Sequence, residues 1–114
     1  MRKFFFSVIV KKETMNIRYY LRNINKECKM GIENYFASKK LPQVARLLKK
    51  EEQQIKQIVV TGEYFQKHNA FSVQIDIPLG KNLYSAQEQS HNVLKAIDFS
   101  VQRIIKQIKS KQKH

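Results

Sequence analysis

The sequence predicts a single α+β domain with the element order β-α-β-β-β-α, and three observations carry this prediction. Residues 70–78 alternate apolar and polar side chains, as a half-buried strand does. Residues 93–108 repeat apolar side chains at helical spacing. Residues 16–23 (NIRYYLRN) form a short segment rich in Ile and Tyr and bounded by Asn, which is typical of a strand. A chain of 114 residues is long enough for one such domain.

The first strand is followed by a predicted helix with one interruption. From Glu27 to Lys50, apolar residues recur at helical intervals apart from one longer step. Pro42 lies just after that step. Proline lacks an N–H group and its ring presses on the carbonyl four residues earlier, so we expect a kink or restart near Lys40–Pro42.

Three further strands are predicted at residues 55–66 (IKQIVVTGEYFQ), 70–78 (AFSVQIDIP) and 82–88 (NLYSAQE), with turns at KHN and LGK. Gly62 within the first of them indicates a bulge or close packing. Tyr64 and Phe65 have the chemistry to stack on nucleobases, but the strands show no RNP-like pattern. Packing in the core or on the sheet surface is therefore the better interpretation of these two rings.

The last helix is predicted to begin at residues 90–92, where Ser90 or Asn92 can cap its first turn. Its apolar stripe should lie against the sheet, and this stripe consists of Val93, Leu94, Ile97, Val101, Ile104 and Ile108. A second stripe, which should point outward, consists of Lys95, Gln102, Lys106, Lys109 and Lys113. Burial of the first stripe thus orients the cations toward solvent.

The chain is strongly basic, with 22 Lys and Arg against 9 Asp and Glu and a formal net charge of +13. Such a charge predicts attraction to a polyanion, namely nucleic acid, an anionic membrane or an acidic protein. After Asp98 every charged side chain is cationic. A merely solubilising helix face normally mixes signs, because opposite charges four residues apart stabilise it. Together with Lys39, Lys40, Arg46, Lys49 and Lys50 of the first helix, these cations predict a groove suited to phosphates.

Other chemistry finds little support in the sequence. Cys28 is the only cysteine, which excludes an internal disulfide and fits a reducing cytoplasm. The histidines His68, His91 and His114 have no partner at metal-ligand spacing, and we interpret them as surface residues. No phosphate-binding loop and no nucleophile–base arrangement stands out, so we expect neither an enzyme nor a cofactor. No apolar run approaches the ~18 residues of a membrane span, so we expect no membrane partner.

Several segments carry a resemblance to a known family. They are MNIRYYLRNIN from Met15, KKLPQVARLL, FSVQIDIPLGKNLYSAQEQ and NVLKAIDFSVQRIIKQIK. The most specific of them is AID (Ala96–Asp98) followed by an apolar and basic helix. Over about residues 15–113 the chain resembles the short form of the ribosome hibernation-promoting factors, also called ribosome-associated inhibitors.

The resemblance implies a fold similar to double-stranded-RNA-binding domains, with two helices on one face of a four-stranded sheet. It also implies a monomer that binds the small ribosomal subunit, or the whole ribosome, where mRNA and tRNA would sit, and that inhibits translation under stress. No small-molecule substrate is implied. By position, the resemblance assigns contacts with ribosomal RNA to Lys39, Lys40, Arg103, Lys106 and Lys109. Extension of the same stripe adds Lys111 and Lys113.

The resemblance also divides the chain into an N-terminal extension, residues 1–14, and one ribosome-binding domain, residues 15–114, with Met15 as a candidate initiator. Residues 49–54 look like a small insertion. The sequence departs from the family pattern in NVL, where the family has DMY, and in PLG, where it has PG. Two alternatives stay open. One is a general structured-RNA-binding protein with the same fold, and the other is a basic structural or protein-interaction module.

Overall fold

The computed structural model describes residues 16–48 and 57–112, and it confirms the α+β class and the order of the elements. The first predicted helix consists of two α-helical parts joined by a π-helical turn. The elements are β1 (Asn16–Arg22), α1 (Lys26–Tyr35), the π-helical turn (Phe36–Lys40), α2 (Leu41–Leu47), β2 (Gln57–Phe65), a 3₁₀ turn (Gln66–His68), β3 (Ala70–Leu79), β4 (Asn82–Ser90) and α3 (Val93–Gln112).

The four strands form one mixed sheet in the order β1-β2-β3-β4. β1 runs parallel to β2, whereas β2, β3 and β4 form an antiparallel meander. A parallel pair needs a long crossover connection, and within that connection lies the helical stretch 26–47. The register places Val60, Ile75 and Ala86 side by side across three strands, all on the buried face.

One hydrophobic core joins this face of the sheet to both helical segments. The sheet contributes Ile58, Val60, Val73, Ile75 and Ile77. The first helical segment, which is α1, the π-helical turn and α2, contributes Ile32, Phe36 and Val44, and Leu48 follows it. The helix α3 contributes Ile97, Val101, Ile104 and Ile108. Because all of them belong to a single cluster, the helices cover the same face of the sheet. Each fully buried side chain of this kind stabilises the fold by roughly 1.5–3 kcal/mol.

The N-terminus of α3 agrees with the predicted cap, but its buried stripe differs at one position. Asn92 Oδ1 accepts hydrogen bonds from the backbone N–H groups of Leu94 and Lys95, at 2.9 and 3.3 Å. The predicted burial of Leu94 is wrong, because this side chain is 38% exposed. The buried stripe is rotated toward Ala96 and Ser100, whose small side chains let α3 approach β3 closely enough for Ser100 Oγ to donate to the Val73 carbonyl at 3.0 Å.

The interruption at Pro42 is confirmed, and it takes the form of a π-helical turn. The Leu41 N–H donates to the carbonyl of Phe36, five residues earlier, and α2 then begins with Pro42 in its first turn. Proline is tolerated in a first turn because its missing N–H needs no partner there. The wider turn therefore lets the helical segment continue past a residue that would break a regular α-helix.

Gly62 serves close packing rather than a bulge. The pairing of β2 with β3 runs without a break through Thr61, Gly62 and Glu63. A Cβ atom on Gly62 would lie 3.0 Å from Leu21 Cδ2 and 3.5 Å from Ile24 Cδ1. Side chains at the end of β1 and just after it therefore occupy the space that any larger residue would need.

The predictions for residues 1–14, Met15, residues 49–54, Lys113 and His114 lie outside the described residues. Among the helices that are described, none is long and apolar enough to cross a membrane.

Candidate nucleic-acid interface

The cationic side of α3 points away from the core, as predicted. Val101, Ile104 and Ile108 are buried against the sheet, whereas Lys106 and Lys109 are exposed. Arg103 and Lys111 are exposed as well, and no acidic residue follows Asp98 in the helix. The same spacing that buries one side of α3 thus leaves the cations that follow Asp98 on the other side.

Lys40 lies at the junction between the π-helical turn and α3. Its Nζ atom is 2.9 Å from Asp98 Oδ1, and the same oxygen accepts a hydrogen bond of 2.6 Å from the Tyr35 hydroxyl. Lys40 Nζ also lies 5.5 Å from the centroid of the Tyr35 ring. We call Tyr35, Lys40 and Asp98 the interhelical cluster, because it joins the first helical segment to the second turn of α3.

Burial and charge explain how this cluster behaves. The Lys40 and Asp98 side chains are only 16% and 28% exposed, so solvent screens their attraction weakly. The hydrogen bond to Asp98 raises the pKa of Lys40, and it also raises the pKa of the Tyr35 hydroxyl. Lys40 is therefore held charged by a fixed partner, whereas its neighbour Lys39 is exposed.

Two further predicted contact residues are tied to β4. Arg103 forms an ion pair with Glu88, although its own side chain stays 63% exposed. Lys111 Nζ donates to Asn82 Oδ1 at 2.7 Å and lies 5.7 Å from the centroid of the Tyr84 ring. The structure thus fixes Arg103 and Lys111, eight positions apart on α3, to opposite ends of β4.

Gln107 fixes α3 against the edge of the sheet. Its Nε2 atom donates to the Ser85 carbonyl at 2.7 Å, and its Oε1 atom accepts from the Ser85 N–H at 3.1 Å. These two bonds satisfy backbone groups on the outer side of β4 that would otherwise be open to another strand. Together with the buried stripe, they set the rotation of α3 and hence the direction of its cations.

Sequence reasoning missed the partners Tyr35, Asp98, Glu88 and Gln107. Of these four residues, only Asp98 could have been singled out from the sequence, because it is the last acid before a purely cationic stretch and belongs to the AID motif. Gln107 gave none, because a glutamine within a basic helix has the pattern of a solvent-exposed residue.

The described residues offer little for catalysis or metal binding. Within 16–48 and 57–112, no group of three or more His, Cys, Asp and Glu side chains could hold a metal ion. His68 and His91 are exposed, as expected. Burial raises the pKa of the Cys28 thiol, which disfavours the reactive thiolate form.

Comparison with known proteins identifies the fold through solved structures. No protein-family model and no curated protein matches the chain. The crystal structure of the Thermus thermophilus Protein Y N-terminal domain is similar with a TM-score of 0.58 and 23% identity, covering 84% of this chain and 98% of that one. A ribosomal subunit interface protein from Coxiella burnetii is similar with a TM-score of 0.50 and 13% identity, covering 88% of this chain and 98% of that one.

Both of these proteins are members of the family that the sequence motifs resemble. The likeness extends over most of this chain and nearly all of each neighbour. The chain therefore has the fold of the ribosome hibernation-promoting factors.

Proposed function

We propose that this protein binds the small ribosomal subunit at the mRNA and tRNA channel, as a non-enzymatic cytoplasmic factor that inhibits translation under stress or in stationary phase. The observation that carries the proposal is the outward cationic surface of α3, which has no acid after Asp98. Ribosomal RNA is the most abundant polyanion on the ribosome, and a dense positive surface binds phosphates by releasing counterions. One structural neighbour is itself a ribosomal subunit interface protein.

The contact residues proposed for ribosomal RNA are Lys39, Lys40, Arg103, Lys106, Lys109, Lys111 and Lys113. Lys39, Lys106 and Lys109 are exposed and suited to direct phosphate contact. Arg103 combines an exposed guanidinium with a fixed position beside Glu88. Lys40 contributes its positive charge, and it also holds the two helices at a fixed distance through Asp98.

Sedimentation tests this proposal directly. Purified protein is mixed with an excess of empty ribosomes or isolated small subunits in low salt and separated on a sucrose gradient. We expect it to co-sediment with both and to compete with initiator tRNA and mRNA for the small subunit. Protein that stays at the top of the gradient contradicts the proposal. Equal affinity for unrelated structured RNA would favour a general RNA-binding protein of the same fold.

A further inference from the structure

Phe99 is an aromatic side chain on the cationic side of α3, where the core does not use it. It is 42% exposed, whereas its neighbours Ile97 and Val101 are buried. A single exposed phenylalanine is common on protein surfaces and means nothing alone. Phe99, however, lines a cleft of about 500 Å³ between α3 and β4, whose other lining residues are Glu88, Gln102, Arg103, Lys106 and Gln107.

Helical spacing brings the polar lining residues to the side of this ring. Gln102, Arg103 and Lys106 follow Phe99 by three, four and seven positions, so all of them lie on one face of α3. Arg103 is held across the cleft by Glu88 and stays 63% exposed. Gln107 is committed to the Ser85 backbone and does not compete for a ligand. The cleft thus combines one apolar ring with two cations and one exposed amide.

The distribution of charge indicates which ligand fits this cleft. Arg103 and Lys106 attract phosphates, whereas the Glu88 carboxylate, which also lines the cleft and pairs with Arg103, disfavours a phosphate beside it. The exposed ring of Phe99 therefore suits an uncharged planar group of a ligand that also carries phosphates nearby. An unpaired nucleobase has this chemistry, and protein aromatic rings recognise single-stranded RNA by stacking on such bases.

We propose that the cleft holds one unpaired nucleobase of the bound RNA, stacked on Phe99, with the flanking phosphates on Arg103 and Lys106. This inference rests on the proposed function and deepens it. It assigns to the interface a stacking contact beside its phosphate contacts, and it requires the RNA to be single-stranded at this point. A continuous duplex keeps its bases stacked and cannot supply such a base.

Fluorescence gives a direct test, because the chain contains no tryptophan. Phe99→Trp introduces a single indole into the cleft, and Leu83→Trp introduces one at an exposed position on β4 as the matched control. We expect small subunits to quench the emission of the indole at position 99 and to leave that at position 83 nearly unchanged. Equal emission changes in the two variants contradict the proposal.

Affinity gives an independent measure. We expect Phe99→Ala to weaken binding to small subunits about 5- to 150-fold, the effect of losing one base stack. Phe99→Tyr should bind like the parent, since it keeps the ring. Leu94→Ala serves as the control, because Leu94 is an exposed apolar residue of the same helix outside the cleft. All three variants should keep the melting temperature of the parent, and Leu94→Ala should also bind like the parent. Parent-like binding by Phe99→Ala overturns the inference.

Cross-linking identifies the occupant of the cleft. With a benzophenone amino acid in place of Phe99, we expect an adduct with ribosomal RNA that RNase degrades. An adduct confined to a ribosomal protein overturns the inference while leaving the proposed function intact. Parent protein that fails to bind ribosomes overturns both, and binding that depends on Lys106 but not on Phe99 overturns only the stacking contact.

Discussion

At the scale of single residues, Lys39 and Lys40 show how the same side chain acquires two roles. The two lysines are adjacent in the KKL motif and equal in charge. The π-helical turn directs Lys40 toward Asp98, where its Nζ atom is 2.9 Å from Oδ1 and its side chain is 16% exposed. Lys39 is exposed. Position on the helix therefore separates a residue that orients the helices from one suited to phosphate contact.

Exchanging each lysine for methionine tests this division, because both variants lose the same charge. We expect Lys40→Met to destabilise the fold by about 1–2 kcal/mol, since a partly buried Asp98 loses its ion-pair partner. Lys39→Met should change the stability by less than about 0.5 kcal/mol and still weaken ribosome binding. Urea unfolding and ribosome pelleting measure the two effects. Equal stability of the two variants would show that the Lys40–Asp98 ion pair contributes nothing to the fold.

At the scale of elements, the sequence predicts what depends on periodicity and misses what depends on long-range register. Alternation and helical spacing identify all four strands and both helical segments, and Pro42 marks the place of the π-helical turn. Tyr35 and Asp98 are 63 positions apart, and Gln107 and Ser85 are 22 apart. Pairs of this kind depend on how a helix is rotated and shifted over the sheet, which neither element encodes alone. Leu94 was mispredicted for the same reason.

The two sides of α3 can be tested separately. Lys106→Glu combined with Lys109→Glu changes only exposed side chains, so we expect little loss of stability and a collapse of ribosome binding. Ile104→Ala should do the opposite, because it removes buried methyl groups at a cost of about 2–5 kcal/mol while the folded fraction binds normally. Arg103 is left unchanged, since a glutamate there would face Glu88.

The matched control for this pair is Arg18→Glu with Arg22→Glu. Both arginines are exposed on β1 and alternate with Ile17, Tyr19 and Leu21, which pack toward the core, so they lie on the opposite face of the sheet. The control changes the net charge by the same amount as the α3 variant. Similar losses of ribosome binding in both would mean that overall charge, rather than the surface of α3, governs the interaction.

At the scale of the whole molecule, the two faces of the sheet differ in how their polar groups are satisfied. On the face away from the helices, Gln74 and Ser85 both donate to Asp76, and Gln87 donates to Ser72 at 2.9 Å. This network joins β3 to β4 and gives the Asp76 carboxylate hydrogen-bond donors from within the sheet. On the side of the helices, by contrast, α3 carries several cations and no acidic residue after Asp98. The sheet face therefore holds Asp76 within its own hydrogen-bond network, whereas the charged side chains of α3 after Asp98 are all cations.

This asymmetry predicts a steep dependence of ribosome binding on salt. If about six phosphates are neutralised, affinity should fall roughly 10³-fold between 50 and 200 mM monovalent salt, because each contact releases a condensed counterion. Affinities measured across this range give the slope of log K against log salt. The variant with Lys106→Glu and Lys109→Glu should show a shallower slope, by about one for each lost contact, whereas Phe99→Ala should weaken binding without changing the slope. A nearly flat dependence for the parent would instead indicate apolar docking to a ribosomal protein.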